Sequence, residues 1–216
     1  MSGPSATAAT GASGGVPTQP DDAPRRRLMQ GFLDVVADKG YAAATIADIV
    51  AAARVSKRTF YEHFADKEDC LLATYQQSSE RLLELLRAAG ATGAQLPWRD
   101  RVGALTRAYL TALDALPPVH RTLMLEIQVA GPRAFALRTR TQSRFAALMC
   151  ELVQEASVGE PEIRPISPEL ALALVGGINE LMLHVFNPYS AHASKPFTAL
   201  TETVTQLATA VISRPE

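Results

Sequence analysis

Residues 45–67 read TIADIVAAARVSKRTFYEHFADK. Ile46, Ile49 and Val50 recur at i, i+3 and i+4, the spacing of one helical face. Thr45 stands before them with Asp48 three residues on, a capping box with Asp in place of the usual Glu. Ala52 and Ala53 let a neighbouring helix approach closely. Arg54-Val55 makes the turn, with Val55 as its apolar plug. Ser56 caps a second short helix over Lys57–His63. Phe60 and Phe64 lie four apart and point together into a small core. Lys57, Arg58, Thr59, Tyr61 and His63 are left on or near the open side. Such side chains bind phosphates and base edges. A helix-turn-helix of this kind lays its second helix in the DNA major groove.

Upstream, Leu28, Phe32, Val35 and Val36 predict a helix over about 25–39, ended by Gly40. Arg25-Arg26-Arg27 opens it, either as a solvated helix start or as phosphate contacts at the rim of the unit. Residues 1–24 are Gly, Ala, Ser, Thr and Pro with almost no large apolar side chain, which predicts a disordered tail. Downstream, Asp66 is a good N-cap for a helix reaching about Ala89, roughly 33 Å long. Gly90 to Pro97 reads as a loop. Further helices are predicted over about 98–116, 120–129, 133–156, 168–186 and 196–212, with breaks at Pro117-Pro118, Gly131-Pro132 and Asn187-Pro188. No strand-like alternation is present. The expected fold is all-α: an N-terminal three-helix DNA-binding domain over 25–66 and a C-terminal helical domain for ligand binding and dimerisation over 67–216.

The chain has 216 residues, 47% of them apolar and few aromatic, enough for a sizeable core without metal or disulfide. Its net charge is only −1. Residues 25–67 nevertheless carry eight basic and five acidic side chains, a local +3 against −4 for the remainder. This describes a small electropositive module on a mildly acidic body. Cys70 and Cys150 read as free thiols in a reducing compartment. No run of residues is long and apolar enough for a membrane span, and no signal-peptide core is legible, so a cytoplasmic location and no membrane partner are expected.

Two apolar stripes mark the C-terminal helices: Leu170, Leu174, Ile178, Leu181 and Val185, then Leu200, Val204, Leu207 and Val211. Placed against a symmetry copy they would make a four-helix dimer interface; otherwise they pack on their own subunit. Dimerisation is the favoured reading, because one seven-residue recognition helix reads too few bases for useful specificity. A ligand cavity could be walled by Trp98, Tyr109, Met124, Phe135, Phe145 and Met149, each of which also reads as ordinary core. Glu126, Gln128, Arg138 and Asn179 are polar groups among apolar neighbours, able to orient a ligand or simply exposed. The histidines at 63, 120, 184 and 192 show no zinc spacing, and no cofactor is expected. Glu180 and His184 share a helical face, as a buried hydrogen bond or dimer contact before a metal site.

The segment from about Arg25 to Leu86 resembles the TetR family of transcriptional regulators. The likeness rests on Thr45, Ile-Ala-Asp-Ile, Ala-Ala, Val-Ser-Lys, Thr-Phe-Tyr-Glu-His-Phe and Asp-Lys-Glu at family spacing. It implies an all-helical homodimer on a palindromic double-stranded operator, with a small-molecule effector in the C-terminal domain. Binding of that effector would shift the fourth helix and separate the recognition helices. The implied DNA contacts are Thr45, Ser56, Lys57, Arg58, Thr59, Tyr61, His63 and Lys67. Lys57 and Arg58 are the base readers, since a long cation suits guanine O6 and N7. Thr45, Thr59, Tyr61 and Lys67 are phosphate contacts. The chain departs from the family at Ala44, Ala47 and Arg54; the last replaces a frequent Gly and is strained if the turn needs positive φ. Three functions stay open: a ligand-responsive repressor, a ligand-independent DNA-binding protein, and a helical enzyme. The last lacks any Gly-rich phosphate loop, nucleophile elbow or metal cluster in the sequence.

Overall fold

A computed structural model describes residues 23–92, 96–186 and 195–214. Among these, all regular structure is helical apart from one isolated bridge between Ile163 and Ser213. The expected tail therefore lies outside the described residues as far as residue 22, and so do Asn187-Pro188 and His192. Ala23 and Pro24 belong instead to the first helix, α1 (Ala23–Ala43). Gly40 interrupts α1 with φ 77° and ψ 162°, a backbone region that only glycine enters without strain, so the regular helix stops where Lys39 was expected to end it.

Helix α2 (Ile46–Ala53) begins at the Thr45 capping box, and α3 (Lys57–His63) begins at the Ser56 cap. Between them Arg54 sits at φ 54°, ψ 47°. A side chain with a Cβ is strained in this left-handed region by about 1–2 kcal/mol. Arg54→Gly should therefore raise stability by about 0.5–1 kcal/mol, after allowing for glycine's larger unfolded freedom. Urea unfolding midpoints of the two proteins would measure this, and a fall would show that the Arg54 side chain compensates elsewhere.

The first core joins Leu28, Phe32, Val36, Ile49, Phe60 and Phe64, all nearly inaccessible to water. Gly31 lets α1 lie directly on α2: a Cβ there would sit 2.8 Å from the Ala53 nitrogen. The remaining helices are α4 (Lys67–Thr92), α5 (Trp98–Asp114), α6 (Val119–Val129), α7 (Pro132–Gly159), α8 (Pro168–His184) and α9 (Thr201–Ile212). Val119 and Leu123 of α6 are buried in the same core as α1–α3. The boundary expected near residue 67 thus divides the sequence more than it divides the packing. Cys70 closes this core, where burial pushes its thiol up to about 12; it is an inert packing group.

The last helix does not start at Pro196 as expected. A short 3-10 turn over Phe197–Leu200 precedes α9. Asp114, at the end of α5, accepts hydrogen bonds from the N–H groups of Phe197 and Thr198 at 2.7 and 3.0 Å. A carboxylate distant in sequence therefore supplies the cap.

The two C-terminal stripes are divided by burial. Leu174, Val185, Leu200 and Val204 are each 4% exposed or less, and Ile178 and Leu181 pack on the same interior. The side chains of Leu174, Val185, Leu200 and Val204 are thus covered within one chain, while Ile178 and Leu181 are half-buried. Leu170 and Leu207 are half-buried. The outward line of α8 instead carries Leu172, which is exposed, and Gly176, whose missing Cβ would meet only open space. His184 Nε2 lies 3.5 Å from Glu180 Oε1 on the surface, not in the interior. Among the described residues no helix is long and apolar enough to cross a membrane.

Candidate nucleic-acid interface and ligand cavity

Helix α3 turns Phe60 and Phe64 inward and leaves Lys57, Arg58 and Tyr61 exposed. The Thr59 N–H donates to Ser56 Oγ at 3.0 Å, and the two hydroxyls lie 2.9 Å apart. Ser56 is thus a working cap, with Thr59 half-buried behind it. Arg58 Nε donates to Glu62 Oε1 at 3.1 Å, one helical turn away, with the Arg58 side chain 89% exposed. A pair this exposed contributes little stability. It aims the guanidinium along the helix without sequestering it. Lys57 makes no ion pair among the described residues. Tyr61 rests edge-on against the Phe60 ring at 5.5 Å, while His63 is half-buried beside Phe64. Arg25 stacks on the other ring, 5.4 Å from the Phe64 centroid, and leaves Arg26 and Arg27 exposed at the rim.

At the start of α2 the Thr45 hydroxyl donates to Asp48 Oδ2, and the Thr45 N–H donates to the same oxygen at 2.9 Å. Lys39 Nζ lies 2.7 Å from it. Lys39 and the Thr45 donors together hold the Asp48 carboxyl down to about 2. A carboxylate with a depressed folded value stabilises the fold above its unfolded value and loses that contribution as pH falls through the folded one. The α2 cap should therefore weaken between about pH 4 and pH 2, read by the pH dependence of unfolding in the intact chain against Asp48→Asn. A difference that persists below pH 2 would contradict this. Sequence reasoning found the box and missed Lys39, whose partner is set by the helix crossing.

Lys67, expected as a phosphate contact, is engaged within the fold. Its ammonium donates to the carbonyls of Tyr41 and Ala44, both at 2.8 Å, and approaches that of Ala42 at 3.4 Å. It also sits 4.4 Å from the Tyr41 ring centroid. The first residue of α4 therefore straps the connection that leads into α2, and its donors are engaged there. Replacing Lys67 by Met should weaken operator binding while leaving the slope of log K against log salt unchanged. A lost phosphate contact would instead flatten that slope by about 0.9. Beside this strap, Arg133 at the head of α7 reaches Asp66, Glu68 and Asp69 at 3.1, 3.2 and 3.0 Å.

Below the α1–α3 unit, α4 to α9 surround a cavity of about 410 Å³. Of the residues expected to wall it, Trp98, Tyr109, Met124, Phe145 and Met149 do so, joined by the polar Gln128 and Asn179. Phe135 does not: it is 60% exposed, and Arg138 lies over its outer ring at 5.4 Å. Neither borders the cavity, because the first turn of α7 turns Ala134 and Leu137 inward and leaves Phe135 on its outward face. Sequence reasoning missed Tyr75, Leu82 and Leu86 on α4 and His120 on α6. The only signal for the leucines was a second apolar line on a helix already assigned to linking domains. Burial pushes the Tyr109 hydroxyl well above its ordinary range and pulls His120 below its own. Leu123 borders the cavity on one side and belongs to the α1–α3 core on the other.

Residues 32–74 match the family model described as bacterial regulatory proteins, tetR family. The HTH-type transcriptional regulator YxbF of Bacillus subtilis is 35% identical over 97 residues, covering 44% of this chain and 25% of that protein. The HTH-type transcriptional activator FasR of Mycolicibacterium smegmatis is 29% identical over 117 residues, covering 54% of this chain and 52% of that one. The matched region thus spans a quarter to about half of these curated relatives. In fold, the chain is similar to the Bacillus subtilis transcriptional regulator FadR, solved in complex with stearoyl-CoA. The TM-score is 0.71 at 15% identity, over 87% of this chain and 99% of FadR.

Proposed function

We propose that this chain, a member of the TetR family by its residues 32–74, is a ligand-responsive transcriptional repressor. It binds a palindromic operator as a homodimer through α3, and an effector in the cavity releases the DNA. The observation that carries this reading is the shared position of Leu123, which faces the cavity and the core behind α3 at once. The same core presents Lys57, Arg58 and Tyr61 outward on one helix.

A filled cavity moves α6 at Leu123 and α4 at Tyr75 together. The Lys67 strap and the Arg133 cluster tie the head of α4 to α2 and α7, so that motion passes into the DNA-binding unit as a rigid displacement. Recognition helices of such dimers sit about 34–36 Å or a multiple apart. A displacement that changes this spacing uncouples one half-site. The ligand needs only a difference in affinity between two dimer geometries, and tenfold corresponds to about 1.4 kcal/mol. The outward faces of α8 and α9, with Leu172 and Gly176 at their centre and Leu170 and Leu207 at the edge, are the dimer surface in this reading.

A cavity this size favours the ligand-responsive reading over a ligand-independent DNA-binding protein, whose C-terminal half would be solid. The experiment is selection of bound fragments from genomic DNA, followed by footprinting of the enriched site. A two-fold symmetric footprint with half-sites one helical turn apart is expected. Enrichment of no sequence would overturn the proposal.

A further inference from the structure

The cavity is lined by hydroxyls that the fold does not use. Thr106 on α5 and Thr141 on α7 border it and are only 8% and 5% exposed. Covered hydroxyls nearby on α4 are satisfied: those of Thr74, Ser78 and Ser79 donate to the carbonyl one turn back, at 2.8, 3.0 and 2.9 Å. Thr106 and Thr141 also stand in helices, yet neither side chain has a hydrogen-bond partner among the described residues. The fully sealed unpartnered atoms there are Arg138 Nε and Thr205 Oγ1. The Thr106 and Thr141 oxygens instead retain surface, and the cavity is what they border.

Two further neutral groups stand with them. Tyr109 lies one turn along α5 from Thr106, and its ring meets Phe145 edge-on at 6.0 Å. Phe145 lies one turn along α7 from Thr141. Asn179 follows Ile178, which packs in the same apolar cluster as Tyr109. Neither the Tyr109 hydroxyl nor the Asn179 side-chain amide is hydrogen-bonded within the described residues. Helices α5, α7 and α8 thus bring four neutral polar side chains to one cavity.

The charged groups at its margin are engaged, exposed or neutral. Arg121 holds Asp114 at 3.5 Å, and Arg101 holds Glu160 at 3.5 Å. Glu155 is exposed. Burial lowers the His120 pKa, which keeps that ring uncharged at neutral pH. A ligand carboxylate would have to displace Asp114 or Glu160, and a ligand ammonium would find only Glu155, at the surface. Burying an unpaired ion costs far more than burying a hydroxyl that gains a hydrogen bond.

We propose that the effector is an uncharged, largely apolar molecule carrying a hydroxyl or carbonyl group, hydrogen-bonded within the belt formed by Thr106, Tyr109, Thr141 and Asn179. This deepens the functional reading above and rests on its placing the effector in this cavity. A ligand without that polar group leaves the belt dry and unpaired, and so binds less well.

The probes are biphenyl and its para-substituted phenol, carboxylic acid and methylamine, which share one skeleton. At about pH 7 the phenol is neutral, the acid anionic and the amine cationic. Binding to the full-length protein is measured by equilibrium dialysis. The phenol should bind best, about threefold to tenfold more tightly than biphenyl, and both ions should bind more weakly than biphenyl. Thr106→Val, Thr141→Val and Tyr109→Phe each delete one hydroxyl and nearly keep its shape. At least one of them should lower phenol affinity by about threefold to tenfold and leave biphenyl affinity unchanged. Tightest binding of the acid or the amine, equal binding of phenol and biphenyl, or no binding of any of the four overturns the proposal, whether or not a variant folds. So does the lack of a phenol-selective loss in every variant that folds. Operator binding without ligand is measured separately. Its presence alongside a wrong ranking refutes the ligand class alone, and its absence refutes the regulator.

Discussion

Gly31→Ala should lower the stability of the α1–α3 unit by about 3 kcal/mol, a large share of what holds most domains folded. The added methyl would lie 2.8 Å from the Ala53 nitrogen, 2.9 Å from the Ile49 oxygen and 3.1 Å from the Ala53 Cβ. Two of these are backbone atoms of α2 and cannot rotate away. Relief requires α1 and α2 to separate, which opens the contacts of Phe32 and Ile49, both fully buried. Alanine's better helix propensity, worth about 1 kcal/mol, offsets only part of this. Gly103→Ala is the control. Its new methyl would meet Thr205 Cγ2 at 3.8 Å, an ordinary contact, so that variant should be as stable as the parent or slightly more so. Urea unfolding of both, followed by circular dichroism, decides the point. Equal midpoints would mean that α2 moves freely against α1, and the close-packed account would be wrong.

The second large effect concerns base reading. Lys57→Ala and Arg58→Ala are each expected to remove about 1–3 kcal/mol of discrimination, roughly tenfold to a hundredfold in specific affinity. Non-specific affinity should fall far less, since it rests on phosphate contacts spread over the unit. Neither substitution touches the core, because both side chains are exposed and Phe60 and Phe64 carry the packing. Competition binding at one fixed salt concentration, with the selected operator against a scrambled duplex, separates the two terms. Equal losses on both duplexes would make these residues phosphate contacts and remove base readout from α3.

The α2–turn–α3 unit was legible before any coordinates. Thr45 with Asp48 and Ser56 with Thr59 are caps closed within three residues, so sequence spacing alone specifies them. The four-residue spacing of Phe60 and Phe64 likewise names its own inward face. Gly40 at positive φ stands where a helix-ending glycine was expected, whereas the left-handed backbone of Arg54 was left open by the sequence.

The cavity was legible only in part. Trp98, Tyr109 and Phe145 are large residues at helical spacing, which marks an inward face without saying whether that face meets a neighbour or a void. Phe135 shows the same signal and is exposed, because the turn that carries it packs Ala134 and Leu137 inward instead. Helix α8 shows the limit most clearly. Its sequence, PELALALVGGINELMLH, is apolar nearly all round. Periodicity therefore cannot choose between Leu174 and Leu172, although one is buried and the other is exposed.

What the chain's own pattern determined is the helices, their caps and the outward cations of α3, since each depends on residues no more than about four apart. Tertiary structure alone decided that Lys67 straps the α2 connection, that Asp114 caps the turn at Phe197, and that Leu123 belongs to two interiors at once. Those outcomes depend on which distant residues meet, and helix periodicity assigns a side chain to a face without naming what that face will touch.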